Sequence, residues 1–436
     1  MDCVIKRLVF LVLCFVLFQV RRCLPDSLTV NAIHDDGPCM DHTKSYALER
    51  YNPVKIGYVR TIDLGSFGQR RMITRALKPP IFEIPDFLTE DECDFIMKQA
   101  VKQGLKSSIA KGGLSPKLMP ILPENVTGKL PPNEIGGRFE DWDQNNDDVI
   151  DILEMMKFAK NKHLLFLSKD DILEMIEKLN ISAAKDEHIT KMEFEDANIL
   201  GIDSYFYKLH RLHPKHKDRY SEQTWVKFGR TANKTMTRIL KRVMKLTNLS
   251  SYLVYGCEEM QVVRYQPFGH YHAHFDSETH TRQNVPCCHQ VHPDQRCKIC
   301  RYITVLYYLN DNYKGGETAF PVADNITLDL EQSIQNREER DIFNLNEFCH
   351  AANFIVKAKK RGTAIMWYNH DIDYWNGGWL GDLDGHSLHG GCMVTEGEKW
   401  IANSWLPAPY YYNSDLRSMF LNRFEGSATA PMENED

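Results

Sequence analysis

His274 and Asp276 stand one residue apart, and His389 follows 113 residues after Asp276. Two imidazoles and one carboxylate are a donor set that holds one face of an iron(II) ion and leaves the other face open. Lys399, ten residues beyond His389, adds a compact cation on a flexible stem, a group able to reach a buried carboxylate. An open-sided metal beside an anion-binding lysine predicts an oxygenase rather than a binding module.

The stretch Gly269–Asp276 carries His270, His272, His274 and Asp276 at period two, so on a regular strand all four point the same way. Only His274 and Asp276 form an adjacent histidine and carboxylate pair, and His270 and His272 are expected at the pocket mouth. An isolated H-x-D is common and belongs more often to an ordinary strand. The second half strengthens it: His389 through Trp400 reads as strand, tight turn, strand, a hairpin that brings His389 near Lys399. His386 is the rival ligand, but it lies in a Gly/Asp-rich loop and has no basic residue at the same offset.

These residues need strands to hold them. From Tyr252 onward short apolar runs are broken by Gly, Asn and Asp: Met260–Tyr265, Tyr302–Tyr308, Gly362–Trp367 and Trp400–Trp405. That is the pattern of a closed all-β unit over 251–410. Trp367, Tyr368, Tyr374 and Trp375, with flanking glycines, are expected to form a loop over a peptide substrate. Upstream, residues 81–136 begin with strand-like alternation at Ile81, followed by a helix. Thr89 is its N-cap with Glu92 three positions on. Phe95, Ile96, Ala100 and Val101 would be its apolar stripe. Residues 26–80 read as a polar stalk or irregular arm. Residues 201–250 read as supporting helices. One of these covers 222–249 with Arg238, Lys241, Arg242 and Lys245 on a solvated face. The tail from 411 to 436 is weakly patterned.

Residues 137–200 form a charged helical region containing a second kind of metal motif. Residues 143–154 fit a twelve-residue calcium loop, with Asp143, Asn145 and Asp147 at positions 1, 3 and 5, the Val149 carbonyl at 7, Asp151 at 9 and Glu154 at 12. Ile150 would anchor the loop, and Phe139, Trp142, Leu153, Met156 and Phe158 suit flanking helices. Position 6 normally needs Gly, and here it is Asp148, at a cost of roughly 1 kcal/mol in left-handed backbone. A second loop in register, 182–193, keeps Ile189 and Glu193 and offers Ser182 and Asp186. It lacks acidic groups at positions 1 and 3, and is expected to bind calcium poorly and serve as a packing partner. The bland alternative for the first loop is an acidic helix start.

The chain has 436 residues, 43% hydrophobic and 26% charged, with net charge −6. That is an ordinary globular composition with no reason to expect nucleic-acid binding. Leu8–Val20 is a short apolar stretch between Lys6-Arg7 and Arg21-Arg22. It is shorter than a bilayer core and suits either a cleaved signal peptide or a retained signal anchor within 1–25. Both route the chain to the secretory pathway. Sequons at Asn125, Asn180, Asn233, Asn248 and Asn325 agree. Twelve cysteines then read as partly disulfide-bonded. For Cys287, Cys288, Cys297 and Cys300, a disulfide-stapled insertion and a structural zinc site both remain open.

The stretches Ile81–Thr89, Gln261–Asp276, Arg301–Asn310, Gly315–Asn325 and Ser387–Trp405 resemble the prolyl 4-hydroxylases of the iron(II)- and 2-oxoglutarate-dependent dioxygenases. Within that family they resemble the endoplasmic-reticulum membrane branch, which carries EF-hands. The resemblance implies an α+β chain: a double-stranded β-helix (jelly-roll) catalytic domain with supporting helices and an inserted all-α EF-hand pair. It implies iron bound by His274, Asp276 and His389. It implies 2-oxoglutarate held by Lys399 and Tyr265, with Thr304 and Trp405 as pocket walls. O2, L-ascorbate and Ca2+ would complete the cofactors. Succinate and CO2 would be released as peptidyl proline is hydroxylated. The implied partner is a proline-containing peptide, with the hypoxia-inducible factor α subunit as first candidate and collagen-like chains as second. The implied location is the endoplasmic reticulum, membrane-anchored, or soluble in the lumen after signal cleavage. Two rival readings remain: a lumenal calcium-binding protein with an inactive oxygenase domain, and an oxygenase acting on another side chain.

Overall fold

The computed structural model describes residues 48–108, 138–179, 181, 187–196, 199–212, 214–227, 234–250, 253–254, 257–278, 299–327, 342–356, 360–375 and 377–409. The N-terminal apolar segment, Asn125, Asn180, Asn233, Ser182, Asp186, Cys287, Cys288, Cys297 and the tail lie outside them. No helix among the described residues is long and apolar enough to cross a membrane.

Two antiparallel sheets organise the α+β unit. Among the described residues the larger runs in the order Val59–Asp63, Gln69–Leu77, Pro80–Ile84, Ala364–Tyr368, Ile299–Tyr308, Lys399–Pro409, Met260–Tyr265, Glu222–Val226, Lys106–Ser107. The smaller runs Phe354–Val356, Thr318–Phe320, His389–Gly391, His270–His274, Arg219–Tyr220. Strand periodicity decides what each face covers. Ile303, Val305 and Tyr307 join Trp400, Ala402 and Leu406 in the core beneath the helices, whereas Leu306, Tyr308 and Ile401 share an apolar layer with Phe320 and Val356 of the smaller sheet.

The helix Glu90–Gln103 starts as the sequence predicts: Thr89 and Glu92 form a reciprocal capping box, and Glu90, Asp91 and Glu92 fill the first turn. Cys93, Ile96 and Ala100 are its buried stripe. Val101 is 60% exposed and does not belong to it.

Three other expectations need correction. Residues 48–80 are not an irregular arm, because two of their strands extend the larger sheet and the oxygenase unit begins near Leu48. Val59–Asp63 is the edge strand, exposed at three of its five positions, so its composition is that of a polar linker. The span 222–249 is not one helix: Glu222–Val226 is a strand, and the helix runs Lys234–Thr247. Arg242 is not on a solvated face. It is 4% exposed, forms a bidentate pair with Glu92 at 2.8 and 2.9 Å, donates to the Phe87 carbonyl and stacks on Phe67.

Residues 139–212 make a separate helical core around Trp142, Phe158, Phe194 and Phe206. The short strand Val149–Asp151 pairs with His188–Thr190, placing Ile150 opposite Ile189. Leu153 is 37% exposed, so it is not part of that core.

Candidate active site

His274 ends its strand and His389 begins the neighbouring one, paired directly across the smaller sheet. Asp276 follows two residues on. His274 Nε2 lies 3.7 Å from Asp276 Oδ1, and His389 Nε2 lies 3.5 Å from Asp276 Oδ2. One ligand atom from each falls within 4.8 Å of the others. The Nδ1 of His274 sits 2.9 Å from the His272 carbonyl, and that of His389 2.8 Å from the Ser387 carbonyl. Each Nδ1–H donates there, which leaves both Nε2 lone pairs for a metal.

The electrostatics agree. Burial, then His389, push His274 down to about 3, so its imidazole is neutral. Burial alone would raise Asp276, but His389, His274 and Arg301 outweigh it and hold the carboxyl below its ordinary range. Two imidazoles whose Nδ1 atoms face backbone carbonyls, together with one carboxylate, are a donor set that fits iron(II).

His270 and His272 are not at the pocket mouth. Tyr271 pairs with Gly391 while His274 pairs with His389, a one-residue register shift. That bulge breaks the alternation and puts Tyr271, not His272, on the side of His274. The Tyr271 and His274 rings stack at 3.6 Å. His270 is buried between the carbonyls of Lys217 and Phe268, and His272 Nδ1 accepts the Leu345 N–H.

The simple hairpin is also corrected. Val394–Glu396 turns aside to pair with Lys314–Gly315, so His389 and Lys399 lie on different sheets and meet across the cavity between them. Along the final strand Lys399, Ile401, Asn403 and Trp405 all line that cavity, whose volume is about 390 Å³. Lys399 is 2% exposed, and burial lowers its pKa to about 8 against a weaker opposing pull from Glu317. Among the described residues no carboxylate lies within ion-pair distance of it. A buried ammonium left so demands an anionic ligand. Tyr265 pairs directly across from Lys399, and a Cβ at Gly391 would stand 3.9 Å from the Tyr265 hydroxyl and 4.0 Å from Lys399 Nζ, so both groups face that glycine.

Thr304 holds a different place from a cosubstrate wall. Its hydroxyl donates to Asp276 Oδ2 at 2.7 Å and accepts from Asn369 Nδ2 at 2.9 Å, while Trp367 Nε1 donates to Asn369 Oδ1. Trp405 lines the cavity with Arg301 stacked on it at 3.7 Å, and Arg301 forms a bidentate pair with Glu258. Trp367 and Tyr368 are buried and form no lid; Trp367 packs edge-on against His389 at 4.6 Å. Tyr374 and Trp375 are 68% and 99% exposed. His386 bonds Asp384 and the Asn325 carbonyl, apart from the metal donors. Sequence reasoning missed Asn369, Arg301 and Tyr271. The odd spacing of Tyr271 from His274 hid it, and nothing local marks the other two.

Cys349 and Cys392 form a disulfide, and Cys300 is disulfide-bonded as well, which favours stapling over zinc for that cysteine. Cys93 and Cys257 are buried, and Cys93 is a free thiol. Asn248 is exposed, though its side chain donates to Glu49; Asn325 Oδ1 accepts from the backbone and hydroxyl of Thr327.

In the other loop, Asp143, Asp147 and Glu154 each place an oxygen within 4.8 Å of the others. Asp148 has φ +63°, the left-handed turn that position 6 requires, and Glu187 repeats it at position 6 of the second loop with φ +69°. Asp143 accepts the N–H groups of Asn146, Asp147 and Asp148, and Asn145 Oδ1 accepts that of Asp147. Asp151 caps the following helix, and Glu193 caps its own at Thr190.

The sequence profile of the 2OG-Fe(II) oxygenase superfamily matches residues 260–407. The transmembrane prolyl 4-hydroxylase of Mus musculus is 34% identical over 368 residues, 82% of this chain and 69% of the relative. That of Homo sapiens is 35% identical over the same shares. A solved viral collagen prolyl hydroxylase from Paramecium Bursaria Chlorella virus-1 is 27% identical, covering 44% of this chain and 81% of its own, with a TM-score of 0.28.

Proposed function

From the premise that this chain belongs to the prolyl 4-hydroxylases of the 2OG-Fe(II) oxygenase superfamily, we propose how its own residues divide the work. The chain hydroxylates peptidyl proline with O2 and 2-oxoglutarate, releasing succinate and CO2. The assignment of roles is carried by one cavity that holds three metal-competent donors and a buried, unpaired ammonium. His274, Asp276 and His389 hold iron(II). Lys399 takes the far carboxylate of 2-oxoglutarate, and the Tyr265 hydroxyl donates to it. Thr304 orients Asp276, and Trp405 walls the cavity. When bound, iron(II) supplies the redox centre at which the 2-oxo acid and O2 react, with ascorbate as its reductant. The protein's share is to position the reactants and exclude water. Exposed Trp375 is proposed to contact the peptide outside the cavity.

Residues 137–200 are proposed to act as an EF-hand pair. Asp143, Asn145, Asp147, the Val149 carbonyl, Asp151 and Glu154 would bind calcium in the first loop and modulate the oxygenase. The second loop would support it through Ile189. The proposed setting is the lumen of the endoplasmic reticulum, with the N-terminal apolar segment as tether or cleaved signal.

The test is mass spectrometry of proline peptides after incubation with enzyme, iron(II), ascorbate and 2-oxoglutarate, using hypoxia-inducible factor α and collagen-like sequences first. Wild type should add one oxygen atom and His274→Ala none. Calcium titration with Glu154→Gln as control reads the other loop. Tight calcium binding without turnover of any peptide would sink the catalytic assignment and leave a calcium-binding protein.

A further inference from the structure

We propose that Arg219 selects the peptide substrate by pairing with an acidic side chain close to the target proline. This rests on the reading of the cavity as the site of proline hydroxylation. Arg219 lines that cavity from the short strand paired with the metal strand, directly opposite Tyr271. Its guanidinium stands 4.5 Å over the Tyr271 ring, which stacks in turn on His274. The side chain is held from behind by neutral acceptors: Nε donates to Ser221 Oγ at 2.9 Å and Nη2 to Gln223 Oε1 at 3.3 Å. Neither neutralises its charge, and other N–H groups remain for a ligand.

The other two cations of the cavity have assigned partners. Arg301 is paired with Glu258, and Lys399 is the group suited to the cosubstrate. Among the described residues no carboxylate comes within ion-pair distance of Arg219, although Asp218 and Glu278 line the same cavity. Burial raises Asp218 to about 6 against the pull of Arg219 and then Lys160, and its carboxylate reaches Arg219 only through space, without an ion-pair contact. A positioned, half-enclosed guanidinium whose hydrogen-bond acceptors are neutral is matched by a carboxylate, which it can grip through two N–H groups.

The surroundings fit an extended peptide rather than a free anion. From Gln223, side-chain amides continue along the wall: Gln261 donates to Gln223, and Asn403 donates to Gln261. Such amides can serve the carbonyl and N–H groups of a strand-like substrate. The two ring contacts, 4.5 and 3.6 Å, put the guanidinium at most about 8 Å from the His274 imidazole, within about two residues of extended chain. The acidic residue is therefore expected one to three positions from the proline.

The experiment measures binding of fluorescent proline peptides to the iron-loaded, full-length enzyme with 2-oxoglutarate in the absence of oxygen. Glu and Gln are exchanged at each of the three positions on either side of the proline. At one position wild type should bind the Glu peptide about tenfold to a hundredfold more tightly, the range of a charge-assisted hydrogen-bonded contact. Arg219→Gln should remove that preference, and Arg219→Glu should turn it toward a Lys peptide. Equal binding of Glu and Gln peptides by wild type at every position would overturn the proposal without any variant. So would a preference that survives in Arg219→Gln. Admitting oxygen separates the two readings: discrimination in binding with no oxygen added to the peptide would refute the hydroxylation reading and leave Arg219 as an acidic-peptide contact.

Discussion

Thr304→Val separates two roles that the same residue could play. The substitution keeps the shape of the side chain and removes its hydroxyl. That hydroxyl donates to Asp276 Oδ2 at 2.7 Å and accepts from Asn369 at 2.9 Å, in a site where Thr304 and Asn369 have no exposed surface. Losing a hydrogen bond to a buried charged acceptor costs about 1.5–3 kcal/mol. Removing a partner that orients a metal ligand costs about tenfold to a hundredfold in metal affinity, which is the same range. The carboxylate can turn once the hydroxyl is gone, and the Asn369 amide loses its acceptor. The expected result is iron(II) affinity down by about one to two powers of ten, read by anaerobic titration of metal-free enzyme. At saturating iron, the KM for 2-oxoglutarate should move little. The opposite pattern, unchanged iron affinity with a raised 2-oxoglutarate KM, would refute this account and restore Thr304 as a wall of the cosubstrate pocket.

The remaining expectations concern Lys399 and Arg242. Burial lowers Lys399 to about 8, so the ammonium that should hold the dicarboxylate is present below that pH and lost above it. The KM for 2-oxoglutarate should therefore rise about tenfold per pH unit above roughly 8, and a flat profile to pH 9.5 would mean another group holds the acid. Arg242→Ala leaves Glu92 buried without its partner, and should cost about 3–5 kcal/mol in urea unfolding. The double substitution Arg242→Met with Glu92→Leu should recover most of that loss. If the double variant is as unstable as the single, the stack of Arg242 on Phe67 matters more than its charge.

What could be read in the sequence depended on whether a signal was local. His274, Asp276, His389 and Lys399 stood out in the sequence because their residue types are rare in combination, and they line one cavity. The alternation of Lys399, Asn403 and Trp405 then places all three on one face of a strand. The spacing of Asp143, Asp147 and Glu154 singled out one loop, and its backbone does turn left-handed at Asp148. The errors share the reverse cause. One extra residue at the bulge between Tyr271 and His274 reverses the facing of His270 and His272, and nothing in the histidine run announces it. Arg242 looks solvated until Glu92, 150 residues earlier, is brought against it. The edge strand Val59–Asp63 looks like linker because its neighbour, not its own composition, makes it a strand. Arg219 belongs with these. Its strand is only two residues long, at the edge of the smaller sheet and outside the region matched by the superfamily profile, and its pairing with the metal strand sets it beside the cavity. Chemistry that the reaction itself requires is written in residue types, whereas what positions that chemistry and selects its substrate is written in pairings between distant strands. On that argument, substrate choice in this chain is to be sought at Arg219 and the amides beside it rather than at the metal ligands.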